Sequence, residues 1–256
     1  MKNADRDIHH VNKCPRSVLI TGAGRGIGLG IAEAFASLGD RVSMISRTDT
    51  LQLDLAVNKI RTQGGQVIGI CADFSDYEKA RQAFEETESA HGPVEILINN
   101  AGTAHYGLFT DMSPAQWQEV LGNNLLTAIH GSHLALPNMV KAKSGVIVNI
   151  TSIWGLAGAS CEAVYSAAKG GICAFTKALA KEYGPSGIRV NAIACGAFET
   201  RMNEGFTQDE KDAFIENIPA GRFGKPEEVG SLAVYLASPE AEYLTGQVTV
   251  LDGGVL

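Results

Sequence analysis

The chain has 256 residues, 45% of them hydrophobic and 19% charged, and 28 acidic residues against 21 lysines and arginines give a net charge of −7. That composition suits one well-buried α/β domain and excludes a disordered chain. The negative balance argues against nonspecific binding to nucleic acid or to an anionic membrane, which both need a positive face.

The first sixteen residues, MKNADRDIHHVNKCPR, are polar and charged without an apolar stretch. They are neither a secretory signal nor a membrane span and read as a flexible tail, 1–16. No later segment offers about twenty apolar residues free of charge, so the chain is expected in the cytoplasm. From residue 17 onward, short β-branched runs alternate with longer amphipathic ones. The runs at 17–21, 41–46, 66–73, 94–100, 145–152, 188–194 and 247–252 are nearly continuous in apolar character, as buried parallel strands are. Between them, 26–39, 76–92, 113–136 and 225–238 carry helical patterns, the last two opening on Ser-Pro and Lys-Pro. The alternation predicts an α/β fold: a Rossmann-type, doubly wound, seven-stranded parallel sheet with helices on both faces, in a single domain spanning 17–256. The least regular stretch, 195–228, is a candidate lid, because loops beyond the carboxyl ends of such strands form the ligand crevice.

Five cysteines (Cys14, Cys71, Cys161, Cys173, Cys195) are scattered and lack C-x-x-C spacing, so they read as reduced thiols, mostly in the core. His130 and His133 share a helical face but no H-E-x-x-H motif accompanies them. They read as structural, and no metal site is expected.

Directly after the first strand, TGAGRGIG (Thr21–Gly28) leads into a helix. Glycines there permit a tight turn and a close backbone approach, while the helix start offers free N–H groups and partial positive charge, which together suit a dinucleotide's diphosphate. The second strand ends in Ser46 and Arg47, where an acidic residue would take the ribose hydroxyls of NAD. A basic residue accommodates the extra phosphate of NADP, so NADP(H) is expected, with Arg47 and Arg25 on the 2′-phosphate. Asp49, close by, acts against that assignment.

In YSAAK, Tyr165 and Lys169 lie one helical turn apart on one face. A cation at roughly 5 Å, in an effective dielectric of about 20, favours a phenolate by about 3 kcal/mol, or roughly two pKa units before desolvation is counted. Lys169 is therefore expected to lower the Tyr165 pKa towards neutrality, where a general acid or base works. Taken alone, the pair reads as a packed phenol and a solvated lysine, and the rest of the chain decides.

With these motifs in order, the sequence resembles the short-chain dehydrogenase/reductase family from Ser17 to about Gly254. The glycine motif matches at Thr21, Gly22, Gly26 and Gly28, the adenine-contacting acid at Asp73, and the N-N-A-G motif at Asn99 to Gly102. The resemblance implies a catalytic tetrad of Asn124, Ser152, Tyr165 and Lys169. It also implies a cofactor surface of Gly22, Gly24, Arg25, Gly26, Ile27, Gly28, Ser46, Arg47, Asp73, Phe74, Asn100, Ala101, Gly102, Tyr165, Lys169, Gly196, Phe198 and Thr200. In that chemistry a carbonyl accepts a hydride from nicotinamide, Ser152 holds the oxygen, Tyr165 protonates it, Lys169 binds the nicotinamide ribose, and Asn124 helps hold a relay water. One departure is Cys195-Gly196, where the family usually has Pro-Gly. The thiol is not expected to act as a nucleophile, since no histidine or second cysteine neighbours it in sequence.

FGKPEEV and TGQVTVLDGG look like the bacterial 3-oxoacyl-acyl-carrier-protein reductases, which implies a carrier-bound or small-molecule ketone and a homotetramer. Residues 152–170 are also similar to reductases of a ketone attached to a lysine of elongation factor P. An NAD-dependent alcohol or polyol dehydrogenase and a nonenzymatic dinucleotide sensor are further alternatives, opposed respectively by Ser46–Arg47 and by the complete tetrad. Ser152, Trp154 and Tyr165 are the expected substrate residues, with Phe198, His105 and Tyr106 bordering the pocket.

Overall fold

A computed structural model describes residues 14–200 and 207–256. All seven expected strands form, as β1 (Ser17–Thr21), β2 (Arg41–Ser46), β3 (Gln66–Cys71), β4 (Ile96–Asn99), β5 (Gly145–Ser152), β6 (Ile188–Cys195) and β7 (Val248–Leu251). They make one parallel sheet in the order β3-β2-β1-β4-β5-β6-β7. The order reverses between β1 and β4, which opens a crevice at the carboxyl ends of those strands.

Because successive side chains of a strand face opposite ways, β1 feeds two cores at once. Val18 and Ile20 join one cluster with Ile31 and Phe35 of α1 (Gly26–Ser37), Leu53 and Val57 of α2 (Thr50–Thr62) and Val229 of α9 (Pro226–Leu236). Leu19 joins the other with Phe84 of α3 (Tyr77–His91), Met139 of α5 (Thr127–Ala142) and Leu179 of α7 (Ala163–Tyr183). Helices thus cover both faces. On the first face α1 and α9 meet backbone to backbone, since a Cβ on Gly230 would lie 2.6 Å from the Gly30 carbonyl oxygen. No helix among the described residues is long and apolar enough to cross a membrane.

The stretch 113–136 is not the single helix its periodicity suggests. It breaks into α4 (Pro114–Leu121), a π turn at Gly122–Leu126, and α5. Thr127 Oγ1 donates to the carbonyls of Asn123 and Asn124 across the break (3.2 and 3.1 Å). Such π turns concentrate at functional sites, and this one carries Asn124.

The irregular stretch 195–228 contains a helix, α8 (Gln208–Ile215), closed by a capping box between Thr207 and Glu210. Its positions 201–206 lie outside the described residues, as do 1–13 of the expected tail. Arg16, at the end of that tail, is anchored, donating from Nη2 to Asp40 (2.6 Å) and from Nη1 to the Ala237 carbonyl (2.9 Å). Of the cysteines only Cys173 and Cys195 are buried; Cys14 and Cys71 are exposed. His130 and His133 hold structural bonds, to the Phe74 carbonyl (2.9 Å) and the Tyr77 hydroxyl (2.8 Å).

Candidate active site

The glycine turn is built against the end of β4. Gly22 and Gly26 hold positive φ (67° and 53°), which glycine adopts at no steric cost. A Cβ on Gly28 would lie 2.2 Å from the Gly22 carbonyl oxygen, so that position admits no side chain. Asn100 Nδ2 donates to the carbonyls of Thr21 and Gly22 (2.9 and 3.1 Å), and Thr21 Oγ1 accepts from the backbone N–H of Asn100 and Ala101 (3.0 Å each). Asn100 therefore ties the turn to β4. Beyond the turn, α1 starts at Arg25 without a side-chain cap and without an acid in its first turn. Its free N–H groups and positive dipole end fit a diphosphate.

At the end of β2, Gly24 stands over Ser46, where a Cβ would lie 3.6 Å from Oγ. Arg47 is exposed, and its Nη1 donates to Asn123 Oδ1 at 2.6 Å. Asp49 is occupied as the cap of α2, accepting from the Gln52 N–H at 3.0 Å. Burial raises the Asp73 carboxyl, but hydrogen bonds from Ser75 Oγ (2.7 Å) and N (2.9 Å), with the charges of Arg47 and Lys79, outweigh it and hold the group below the usual range. It stays an ionised acceptor.

Two aromatic residues of the expected cofactor surface turn their rings into the core. The Phe74 ring packs in the core, 6.1 Å from Phe84, and its carbonyl is taken by His130, so it offers a cofactor no side chain. Phe198 is 4% exposed and its ring lies against Gly224, where a Cβ would come within 2.4 Å; it belongs to the core rather than to the pocket wall. Thr200, by contrast, stands beside Gly26, and Gly196 packs on Asp252. Ile27 is part-buried and packs against the α1-side core.

The four tetrad residues form one connected neighbourhood. Lys169, on α7, is 4% exposed and donates from Nζ to the Ile150 carbonyl at 3.1 Å. Asn124 Nδ2 donates to the carbonyls of Thr103 and Val120 (2.8 and 2.9 Å), which leaves its buried Oδ1 without a partner among the described residues. Gly102 separates the two groups: a Cβ there would lie 2.5 Å from Asn124 Oδ1 and 3.2 Å from Lys169 Nζ. Ser152, at the end of β5, accepts from the Trp154 N–H at 3.2 Å, and its side chain favours the ionised form of the neighbouring Tyr165 phenol. Trp154 opens α6 (Trp154–Ala157), which lies directly on α7 at Gly155.

The direction expected for Tyr165 is reversed. Burial raises its hydroxyl well above the ordinary value, the Ser152 hydrogen bond acts the other way, and the charges of Glu162 and Cys195 push it further up. Lys169 does not prevail, because burial pulls its own ammonium down to about 8 and its Nζ sits 5.7 Å from the Tyr165 ring centre. The phenol therefore stays protonated at neutral pH. Burial also lifts the Cys195 thiol to about 12, which leaves it inert as a nucleophile.

Three residues around the site had no sequence motif to mark them. Asn123 holds Arg47, Thr103 holds Asn124, and Glu162 is a half-buried acid one turn ahead of Tyr165. Only Glu162 left a trace, its spacing of three from Tyr165. Tyr106 is exposed and His105 half-buried on the loop after β4.

Comparison with known proteins agrees with this architecture. The family model described as enoyl-(acyl carrier protein) reductase matches residues 22–256. The chain is 38% identical over 241 residues to the uncharacterized oxidoreductase YmfI of Bacillus subtilis, covering 93% of this chain and 98% of that one. It is also 38% identical over 237 residues to the 3-oxoacyl-acyl-carrier-protein reductase FabG of Aquifex aeolicus, covering 93% and 96%. A crystal structure of a provisionally assigned gluconate dehydrogenase from Agrobacterium tumefaciens superposes with a TM-score of 0.90 at 32% identity, covering 94% of this chain and 95% of that one. The chain belongs to the short-chain dehydrogenase/reductase family and is an NAD(P)-dependent oxidoreductase.

Proposed function

We propose that this protein reduces a ketone to a secondary alcohol with NADPH, and that its substrate is a 3-oxoacyl thioester. The geometry that carries the reading is Tyr165, part-buried, with Ser152 at the end of β5 acting on its hydroxyl and Lys169 Nζ 5.7 Å from its ring centre. A phenol held neutral is poised to give a proton, which is what a reduced carbonyl oxygen requires.

The cofactor surface fits a dinucleotide, on the strength of the close-packed glycine cradle and the uncapped start of α1. Gly22, Gly24, Gly26 and Gly28 would admit the diphosphate, Asp73 the adenine amino group, and Arg47 with Arg25 the 2′-phosphate of NADP. When bound, the reduced nicotinamide supplies a hydride to the carbonyl carbon. Ser152 Oγ donates to the carbonyl oxygen as negative charge builds there, and Tyr165 delivers its proton to that oxygen. Lys169 holds the ribose hydroxyls, and Asn124 Oδ1, the orphaned buried acceptor, anchors the relay that reprotonates Tyr165.

The protein works in the cytoplasm as a homotetramer in this reading. In support, α4 and α7 present an apolar groove of about 330 Å³ lined by Phe109, Trp117, Leu121, Ala163, Val164 and Ala167. Phe109 stacks on Trp117 at 5.4 Å and is still 53% exposed, a surface a second copy would cover.

A second reading, reduction of a ketone carried on a modified lysine of elongation factor P, is favoured by Glu162, a half-buried acid three residues before Tyr165 with no ion pair among the described residues. Following NADPH consumption with a short 3-oxoacyl thioester in parallel with the protein-borne ketone separates the two, since the true substrate should react faster by orders of magnitude. No turnover of either, with NADPH or NADH, overturns the reductase reading.

A further inference from the structure

Asn149 and Thr151 stand two apart on β5 and so point to the same face of the sheet, the one that α7 covers. Asn149 Nδ2 donates to Thr176 Oγ1 at 2.8 Å, and Thr151 Oγ1 donates to the Lys169 carbonyl at 2.9 Å. Thr176 and Lys169 are seven residues, or about two turns, apart on α7, so the two contacts fix its register on the strand. Asn149 Oδ1 in turn accepts from Asn99 Nδ2 at 2.8 Å, which carries the first contact on into β4. All of these side chains are buried.

The second contact differs from the first in what it holds. The Lys169 ammonium donates to the Ile150 carbonyl at 3.1 Å, while the Lys169 backbone carbonyl takes the hydroxyl of the next residue, Thr151. Both ends of the lysine are thus tied to adjacent residues of β5. A third restraint comes from α6, where a Cβ on Gly155 would lie 2.6 Å from the Lys169 carbonyl carbon and 2.8 Å from the Gly170 nitrogen. Thr151 is 3% exposed and gives its single hydroxyl proton to Lys169, so its 3.5 Å contact with Cys173 Sγ is donated by the thiol. A carbonyl inside a helix already accepts from the N–H four residues on, and the Thr151 bond comes in addition to that ladder. Its effect is on where the Lys169 backbone sits, and so on where a flexible four-carbon stem can deliver its charge.

We infer that Thr151 is a positioning residue for the reductase: by holding the Lys169 carbonyl, it sets the reach of the ammonium from the Ile150 carbonyl to the ribose of a bound dinucleotide. The inference rests on the ribose role proposed for Lys169 and adds the residue through which that role is exercised. Among the described residues, the titratable groups around Lys169 are Tyr165 and Cys173 of α7 and Cys195 of β6. β5, α6 and the π turn carry none, and α4 carries only the exposed Glu119.

Fluorescence titration of NADPH between pH 7 and pH 10, with no ketone present, tests it. In the wild type the Kd should stay level to about pH 8 and then rise, up to about tenfold per pH unit, as Lys169 loses its charge. Thr151→Val replaces the hydroxyl by a methyl of similar size. It should weaken binding roughly fivefold at pH 7 and flatten the rise, because an ammonium out of place contributes nothing that deprotonation can remove. Thr151→Ser keeps the hydroxyl and should keep both the affinity and the rise. Thr176→Val cuts the other contact of α7 and should lower the thermal midpoint with the rise intact. Should the valine variant not fold, Thr151→Ala is expected to show the same flattening. A Thr151→Val protein that binds like the wild type, or more weakly at every pH with the rise unchanged, overturns the proposal. So does a serine variant without the rise, or a wild type that never shows it. A protein that follows the expected pattern and reduces no ketone refutes the reductase reading alone. One that reduces ketones with no Thr151-dependent rise refutes this inference alone.

Discussion

Arg47 Nη1 donates to Asn123 Oδ1 at 2.6 Å, and Asn123 is the neighbour of Asn124 in the π turn. The arginine assigned to the cofactor's 2′-phosphate is therefore oriented by the same backbone turn that presents the relay asparagine. Preorganisation of a guanidinium reduces the side-chain ordering that binding would otherwise require. Arg47→Ala should weaken NADPH binding at least tenfold and NADH binding little. Asn123→Ala should weaken NADPH about fivefold, as expected for about 1 kcal/mol from one hydrogen bond. Fluorescence titrations with both cofactors check this, and equal losses for NADPH and NADH would show that the pair only supports the fold.

Lys169 sets an alkaline limit on activity. Its ammonium, pulled by burial from 10.5 down to about 8, keeps its charge below that pH and loses it above. The cation proposed to bind the ribose is thus present at neutral pH and disappears as the solution becomes alkaline. The kcat/KM for NADPH, which reports the free enzyme, should be flat from pH 6 to 7.5 and then fall up to tenfold per unit above about pH 8. Lys169→Arg, always charged, should remove that break even if its overall rate is low. A profile flat through pH 10 in the wild type would contradict the assignment.

Much of this was legible because it is written locally. Strand runs, the glycine turn and the spacing of Ser152, Tyr165 and Lys169 depend on a few adjacent residues, and the parallel order follows from short strands alternating with helices. What was not legible depends on the tertiary environment. Residues Gly122–Leu126 keep helical periodicity, and the bond that makes the π turn, from the Thr127 N–H to the Gly122 carbonyl five residues back, leaves no mark in it. Phe74 and Phe198 read as cofactor-surface residues, and their rings face the core, since aromatic area is buried wherever the layers meet. The Tyr165 direction failed for the same reason: a pair calculation counts the neighbouring lysine and omits the burial that outweighs it.

Gly102 keeps Asn124 and Lys169 at working distance, and the space for a methyl group there is already filled by their polar atoms. Gly102→Ala should push Asn124 Oδ1 from its position, 2.5 Å from the added carbon, and lower kcat more than tenfold. Because the position is exposed and its φ lies outside the left-handed region, thermal stability should change little. Stopped-flow turnover alongside calorimetric Tm separates the two effects. Full activity in the variant would show that the Asn124–Lys169 arrangement is dispensable.

His91 makes stability fall on the acid side. It ends α3, is 8% exposed, and shares a 3.2 Å hydrogen bond between Nδ1 and the Ser43 hydroxyl. Burial, and then the charge of Arg41, lower its pKa below the ordinary 6.5. The unfolded chain therefore binds a proton below pH 6.5 that the folded chain refuses, and the native state loses up to about 1.4 kcal/mol per pH unit from this group as pH falls further. A His91→Gln variant lacks that proton but also loses ring packing, so it should be less stable than the wild type at pH 7.5. The gap should narrow steadily at pH 6.5 and 5.5. Denaturant unfolding at the three pH values measures it, and a gap that stays constant would mean that His91 takes up its proton equally in both states.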